Sequence, residues 1–488
     1  MIAAAKRKLY LWLPVAALLA AVSPYLLRQL WFDEALTVLN FACMESPAKI
    51  YTSYVIPNNQ LLFSVVIHYW IKLYPGGVPL DLWLRLPSLL CALVMLVYMG
   101  RRFRRFCGAL PLAVTLTALA ISPPFLVYAT AVRGYMLGAL LVVVALGSAL
   151  DFCAAYRLRD VVVYEVCVFL AVLTVPSDLA ALAGALLFVL PALGRRFWRD
   201  WRAFILVFAP AAAFMVAYLP IWKNFLQVAK LGEGWHERGA SVLCVYIALS
   251  AAFGILPLAL LWRGVRIVKK RAWHRLLRGL VWLLPIPAAW IFKAAPFPRV
   301  YFPLFPVLAL AVAIGLRDIS LIDWKKRLPS RGMTHTVMMI AAMLSVFILW
   351  GALWRSESVK SALSRRFGGD LGDDFFRSYY LRRTHRPALA AEALEKLNAG
   401  AVYFSFLSDP WSIIFYHMSR GGRAEYLFDG PRGRVPELPA GTVVVIRRGE
   451  DPLEVAKRFD RVLIPVELRC PEGEAPDLLI FIAAERRP

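Results

Sequence analysis

Apolar residues in this chain gather into runs of about 15 to 22 positions, separated by short loops rich in arginine and lysine. A helix needs about 20 apolar residues to cross a bilayer, and only helices or closed barrels satisfy their backbone there. The runs therefore predict membrane helices near 9–27, 82–100, 109–128, 135–152, 161–175, 179–193, 203–222, 242–262, 277–292, 301–316 and 337–354. That is about eleven spans. The two on either side of Pro176-Ser177-Asp178 are short, which implies a tilt or a cavity.

Charge orients the spans. Lys6-Arg7-Lys8 precedes the first run, and Arg101-Arg102-Phe103-Arg104-Arg105 follows the second. Placing both clusters in the cytoplasm makes the later basic loops (157–159, 195–202, 263–278 and 317–331) cytoplasmic as well. The run 61–73 is short and is interrupted by His68 and Lys72. Counted as a span it would invert every later loop, so it reads as a juxtamembrane helix within one extracytoplasmic loop, 28–81. The first run has the opening of a signal peptide but no clear cleavage site before Asp33, and it reads as a retained helix.

After Trp354 the pattern changes. Charges become frequent, and short alternating strand and helix signals follow: a helix at 388–397, a strand at 401–405, a helix opened by Asp409-Pro410-Trp411, and strands at 442–446 and 478–482. The fold class is a polytopic α-helical membrane protein with outer-face juxtamembrane helices and a small C-terminal α/β soluble domain. Residues 1–354 form the membrane domain and 355–488 the extracytoplasmic one.

Composition narrows the function classes. The 488 residues are 60% hydrophobic with a formal net charge of +24. The basic residues lie mostly in loops between spans, so sidedness and anionic membrane lipid account for them and nucleic acid does not. Seven cysteines without a CxxC pair argue against a disulfide framework or a structural zinc, and six scattered histidines without HExxH argue against a metalloprotease.

The polar residues that remain fall on one face of this topology. Asp33 and Glu34 follow the first span, and Asn58, Asn59 and Gln60 begin the juxtamembrane helix. Arg133 and Tyr135 turn the chain between the third and fourth spans, Asp178 lies between the two short spans, and Arg299 and Tyr301 open the tenth. Two carboxylates and two arginines at one surface suit an anionic substrate with a lipid tail. Each has a plainer reading as well. Carboxylates and asparagines cap helices, arginines snorkel to headgroups, and tyrosines line the interface.

In this order the motifs Trp31-Phe32-Asp33-Glu34-Ala35, Pro57-Asn58-Asn59, Leu84-Arg85-Leu86-Pro87-Ser88, Ser122-Pro123-Pro124, Arg133-Gly134-Tyr135 and Arg299-x-Tyr301-x-Pro303 resemble the GT-C membrane glycosyltransferases, in the group of protein O-mannosyltransferases and lipid A aminoarabinose transferases. The likeness covers roughly residues 9–316. It implies transfer of a sugar from a polyprenyl-phosphate-linked donor to a lipid, glycan or protein acceptor, at the periplasmic or outer face of a bacterial inner membrane and with inversion. By the same likeness Asp33 is the catalytic base with Glu34 its partner, and Arg133 and Arg299 neutralise the phosphate. Asn58, Asn59, Tyr135, Asp178 and Tyr301 complete the substrate site. A divalent metal (Mg or Mn) on Asp33 and Glu34 is left open, and the likeness implies no other cofactor. The chain departs from the pattern at Gln60-Leu61, Thr130-Ala131 and Thr174 to Asp178. A membrane transporter or lipid flippase is the alternative class, disfavoured by the absence of paired repeats and of midplane charge. A third reading is an inactive relative whose C-terminal domain binds an envelope partner.

Overall fold

A computed structural model describes residues 2–194, 200–231, 238–253, 280–291, 298–320, 386–405, 408–428, 436–448, 450–466 and 478–485. The chain divides into two compact units. One comprises Met1–Leu26 with Glu45–Arg377, the other Leu27–Met44 with Ser378–Pro488.

The first unit is helical. Its elements are α1 (Ile2–Val22), α3 (Pro47–Thr52), α4 (Leu61–Lys72), α5 (Leu80–Arg102), α6 (Arg104–Cys107), α7 (Ala109–Ala120), α8 (Pro123–Thr130), α9 (Tyr135–Ala155), α10 (Leu158–Thr174), α11 (Asp178–Leu193), α12 (Trp201–Tyr218), α13 (Trp222–Leu231), α14 (Arg238–Phe253), α15 (Pro285–Ile291) and α16 (Leu304–Ser320), with α2 (Phe32–Thr37) in the other unit. Among the described residues, three helical stretches are long and apolar enough to cross a membrane: Leu80–Arg102, Tyr135–Ala155 and Trp201–Lys230. Shorter apolar helices include Tyr10–Tyr25, Asp178–Leu193 and Leu304–Arg317. The predicted span 337–354 and parts of 242–262 and 277–292 lie outside the described residues.

The predicted straight span 109–128 is broken. Helices α7 and α8 meet at 67° and count as a fourth crossing only if the bent pair is one span. Pro123 and Pro124 open α8 and have no N–H to donate, so the ladder of α7 cannot run through them. Ser122 closes the corner, its N–H and its hydroxyl both donating to the Leu119 carbonyl, at 3.0 and 2.6 Å. The predicted span 203–222 lies within the helical stretch Trp201–Lys230 but is interrupted near its end. A 3₁₀ turn at Leu219–Ile221, containing Pro220, separates α12 from α13.

Helix α4 has 12 residues, about 18 Å at 1.5 Å per residue, which is too short to cross. Its far end is clasped to α5 by a stacked pair, Trp70 and Trp83, with ring centroids 4.6 Å apart. Each indole N–H donates to the other's carbonyl, at 2.9 and 3.1 Å.

Among the described residues, the basic residues near the ends of α5, α9 and α16 and at the start of α12 converge on one end of this unit. Arg102 and Arg105 both reach Asp151 near the end of α9, the latter at 2.9 Å. Arg157 pairs with Asp160 at 3.0 Å, Arg202 donates to the Tyr156 carbonyl at 3.2 Å, and Arg317 donates to the Phe106 carbonyl. The start of α9, the end of α10 and the start of α11 therefore lie at the opposite end, which the antiparallel packing of successive helices requires.

The second unit is an α/β fold around a five-stranded sheet of order β2-β1-β3-β5-β4. The strands are β1 (Ala401–Phe404), β2 (Glu425–Leu427), β3 (Val443–Arg447), β4 (Arg461–Val466) and β5 (Leu478–Glu485). The first is parallel to β2 and β3, while β5 runs antiparallel to β3 and β4, pairing Val444 with Phe481 and Ile464 with Ile482. Helices α17 (Pro387–Lys396), α18 (Pro410–Ser419) and α19 (Pro452–Phe459) complete it. Tyr403, Leu438, Val444, Ile446, Phe481 and Ala483 form one buried cluster. The sequence signals for α17, β1, α18, β3 and β5 match these elements, whereas β2, β4 and α19 carry weaker ones. The strand β2 has three residues, and β4 contains Pro465, tolerated because β4 is an edge strand. Asp409 precedes α18 as predicted, but with φ +55°. Its carboxylate accepts from the Ser412 hydroxyl at 2.8 Å and makes no bond to the helix N–H groups.

Candidate active site

Asp33 and Glu34 occupy the second and third positions of α2. The Trp31 N–H donates to Glu34 Oε2 at 3.1 Å, and the Glu34 N–H returns to the Trp31 carbonyl at 3.0 Å. This is the side-chain half of a capping box, and it explains why a carboxylate here is fully buried. The cap that the sequence left open for Glu34 is present. Asp33 sits at the edge of burial, and its carbonyl accepts from the Thr37 hydroxyl at 2.7 Å. From Val38 to Ala42 the helix widens into a π turn.

The stretch that carries these carboxylates is held by the C-terminal helices of its own unit. The Leu30 N–H donates to the Tyr416 hydroxyl of α18 at 2.7 Å, and the Ala388 N–H at the start of α17 donates to Gln29 Oε1 at 2.9 Å. Neither partner is legible from the sequence.

In the first unit the turn Ala131 to Gly134 gathers most of the remaining residues. Arg133 is 1% exposed, its Nη1 donates to the Asn58 amide oxygen, and its guanidinium lies 5.6 Å from the Tyr135 ring centroid. Ser88, next to Pro87 on α5, donates to the Ala131 carbonyl at 2.6 Å and reaches the Arg133 carbonyl at 3.3 Å. The Gly134 N–H donates to Gln60 Oε1. A Cβ on Gly134 would sit 2.7 Å from Thr174 Cγ2 and 2.8 Å from Phe63 Cβ, so the Arg-Gly-Tyr motif needs its glycine for close approach of α4 and α10. Sequence reasoning assigned no role to Gln60, Ser88 or Gly134. The Leu84 to Ser88 motif, which contains the mid-helix Pro87, was the available signal.

Asn59 works locally. Its amide donates to the carbonyls of Ile50 and Ser53 at 2.9 and 3.2 Å, and it accepts from the Ser64 hydroxyl at 3.0 Å. These bonds fold the loop onto the start of α4.

Asp178 is fully buried at the first position of α11, and neither carboxylate oxygen meets a hydrogen-bond partner among the described residues. It packs against Gly138, one turn into α9, where any side chain would strike its Oδ2. Arg299 and Tyr301 lie on the 3₁₀ turn Pro298–Tyr301. Tyr301 is buried and its hydroxyl meets no partner among the described residues, whereas Arg299 is half-buried. The neighbouring Phe302 packs on Tyr128 (centroids 4.8 Å), which packs edge-on to Tyr135 (5.0 Å). Asn58, Arg133, Tyr135 and, through Tyr128, the Tyr301 turn thus share one end of the first unit, while Asp33 and Glu34 belong to the second.

A metal would need more donors than this. Among the described residues no cluster of three or more His, Cys, Asp or Glu side chains could hold one, and Glu34 already spends an oxygen on the Trp31 N–H.

No family model matches the sequence, and no curated protein matches it closely enough to be named. The fold does have counterparts. One is ArnT from Cupriavidus metallidurans bound to undecaprenyl phosphate, with TM-score 0.55, 17% identity, and coverage of 96% of this chain and 97% of that one. Another is the same protein in the apo state, with TM-score 0.57, 18% identity, and coverage of 99% and 98%. Identities this low speak for the fold, and the likeness runs through the membrane unit and the C-terminal α/β unit alike. The chain therefore shares the fold of ArnT along nearly its whole length.

Proposed function

We propose that the protein transfers a sugar from a polyprenyl-phosphate-linked donor to an acceptor hydroxyl at the outer face of a bacterial inner membrane. The observation that carries this reading is the near-complete overlap of the chain's fold with that of ArnT bound to undecaprenyl phosphate. Arg133 supports it from within. A fully buried guanidinium at the end of a membrane helix bundle is costly to maintain and is functional by default.

In the proposed reaction the acceptor oxygen attacks the anomeric carbon, and the bond from that carbon to the carrier phosphate breaks. The proton moves to the Asp33 carboxylate, and the polyprenyl phosphate leaves with the bonding electrons. Displacement from the opposite face inverts the anomeric centre. Arg133, braced by Asn58 and by the Tyr135 ring, and Arg299 neutralise the leaving phosphate, because guanidinium matches phosphate oxygens in paired hydrogen bonds. Asp178 offers two oxygens without a partner among the described residues, suited to hydroxyl or ammonium donors on the donor or acceptor. Asn59 positions the segment that bears Asn58, and Tyr301 presents its hydroxyl to the substrate. In this reading the N-terminus is cytoplasmic and the C-terminal domain is outside.

The test is transfer by purified protein supplied with polyprenyl-phosphate sugars and an envelope extract, with products read by mass spectrometry. A labelled sugar on a new acceptor, lost in Asp33→Asn, supports the reading. Vectorial movement of the lipid-linked sugar without bond cleavage overturns it.

A further inference from the structure

The arginine run at the basic end of the first unit is not uniform. Arg102 and Arg105 are occupied by Asp151, and Arg102 also donates to the Gly147 carbonyl at 3.1 Å. Arg101 and Arg104 are exposed and line a cavity of about 110 Å³ between α1, α5 and α7. Tyr10 stands on its wall, and Leu112 and Leu116 form an apolar back. Gly100 and Leu11 line it where α5 and α1 come close. A Cβ on Gly100 would sit 2.7 Å from Leu11 Cδ1, so the helices close beneath the arginines while the space beside them stays open. A single water needs roughly 10–15 Å³ of such volume, so the site has room for a hydrated phosphate group and not for a whole lipid.

We propose that this cavity binds a phosphate group presented by an anionic phospholipid of the leaflet at that end of the bundle. Two guanidinium groups at one rim supply the fork geometry that phosphate oxygens accept. The apolar back continues along α1 and α7, where an acyl chain can follow the helix surface. A basic pocket between membrane helices at a bundle end is the arrangement that recognises anionic headgroups. The four arginines then divide the work. The Asp151 pair ties α5 and α6 to α9, and the Arg101–Arg104 pair ties the bundle to the membrane. The site lies at the opposite end from Arg133 and does not depend on the proposed transfer reaction.

The experiment is native mass spectrometry of the full-length protein titrated with phosphatidylglycerol, phosphatidylcholine or inorganic phosphate. The expected result is retention of phosphatidylglycerol over phosphatidylcholine, weakened about tenfold in Arg101→Gln/Arg104→Gln. Ala109→Phe, which narrows the cavity from a half-exposed position and keeps both arginines, should weaken it similarly. An unchanged melting temperature in either variant separates lost binding from lost fold. Competition by inorganic phosphate at comparable concentration would assign the site to free phosphate and overturn the lipid. Equal retention of both lipids, or wild-type retention of phosphatidylglycerol by both variants, would overturn the site altogether.

Discussion

The Leu30 N–H donates to the Tyr416 hydroxyl at 2.7 Å, across 386 positions of sequence. Leu30 is three residues before Asp33, so the chain entering α2 is fixed by a side chain of the C-terminal helix α18. Tyr416→Phe keeps the ring and removes the acceptor. The expected outcome is a fall in kcat of several-fold with little change in KM, and a stability loss of about 1 kcal/mol, the usual net value of one hydrogen bond. Steady-state kinetics beside thermal unfolding would check it. A change in KM alone would show that the bond does not orient the base.

The two adjacent carboxylates should separate by experiment. Asp33→Asn removes the proposed base and should lower kcat by about 10²–10⁴-fold while leaving the melting temperature unchanged. Glu34→Ala removes the acceptor for the Trp31 N–H and should cost about 1 kcal/mol of stability. Glu34→Gln retains an acceptor oxygen and should restore most of that loss. Full transfer by Asp33→Asn would remove Asp33 from the mechanism.

Asp178 and Gly138 form a steric pair. Gly138→Ala drives a methyl group into a fully buried carboxylate and should cost about 1–3 kcal/mol, the range for overpacked cores. Combining it with Asp178→Ala should recover part of that cost, because the truncated side chain frees the space. A double-mutant cycle on thermal stability reads the coupling, and strict additivity would show that the two positions do not touch.

Arg133→Lys keeps the charge and loses the planar fork. Transfer should fall at least tenfold, with the loss concentrated in the dependence on the polyprenyl-phosphate donor. Asn58→Ala should act in the same direction with smaller effect, since it removes one brace of the guanidinium. Kinetics with donor and acceptor varied separately would show whether the effect belongs to the donor.

His417 makes stability depend on pH. Burial lowers its pKa below the ordinary 6.5, opposed by the nearby Glu395 carboxylate. Its Nδ1 lies 2.8 Å from the Tyr426 hydroxyl, and Gly422 leaves room for the ring. The unfolded state therefore binds the proton more tightly than the folded one. The contribution is complete above about pH 6.5, is lost as pH falls below it, and levels off once the folded-state pKa is passed. Unfolding of the full-length protein between pH 7.5 and 5 should show that slope, and His417→Gln should flatten it.

How much was legible in the sequence follows from how local each feature is. Lengths of apolar runs, the gathering of basic residues at one end, the short helix Leu61–Lys72 and the alternation of strands and helices after residue 386 all arise from neighbouring residues. Composition and period therefore determined them. Arg133-Gly134-Tyr135 was visible as a motif, but the reason for its glycine needs Thr174 and Phe63, which come from other helices. The 67° corner at Pro123 was hidden because hydropathy does not register a missing N–H.

Tertiary structure alone decided what surrounds the carboxylates. Asp33-Glu34 reads the same in sequence whether it caps a helix or serves a site. Only the fold shows that Glu34 takes the Trp31 N–H and that Gln29 and Leu30 are held by α17 and α18. It likewise separates Arg102 and Arg105, which meet Asp151, from Arg101 and Arg104, which line a cavity. The physical reason is common to both cases. A polar group's partner is set by which distant segment closes against it, and that closure depends on the packing of the whole chain.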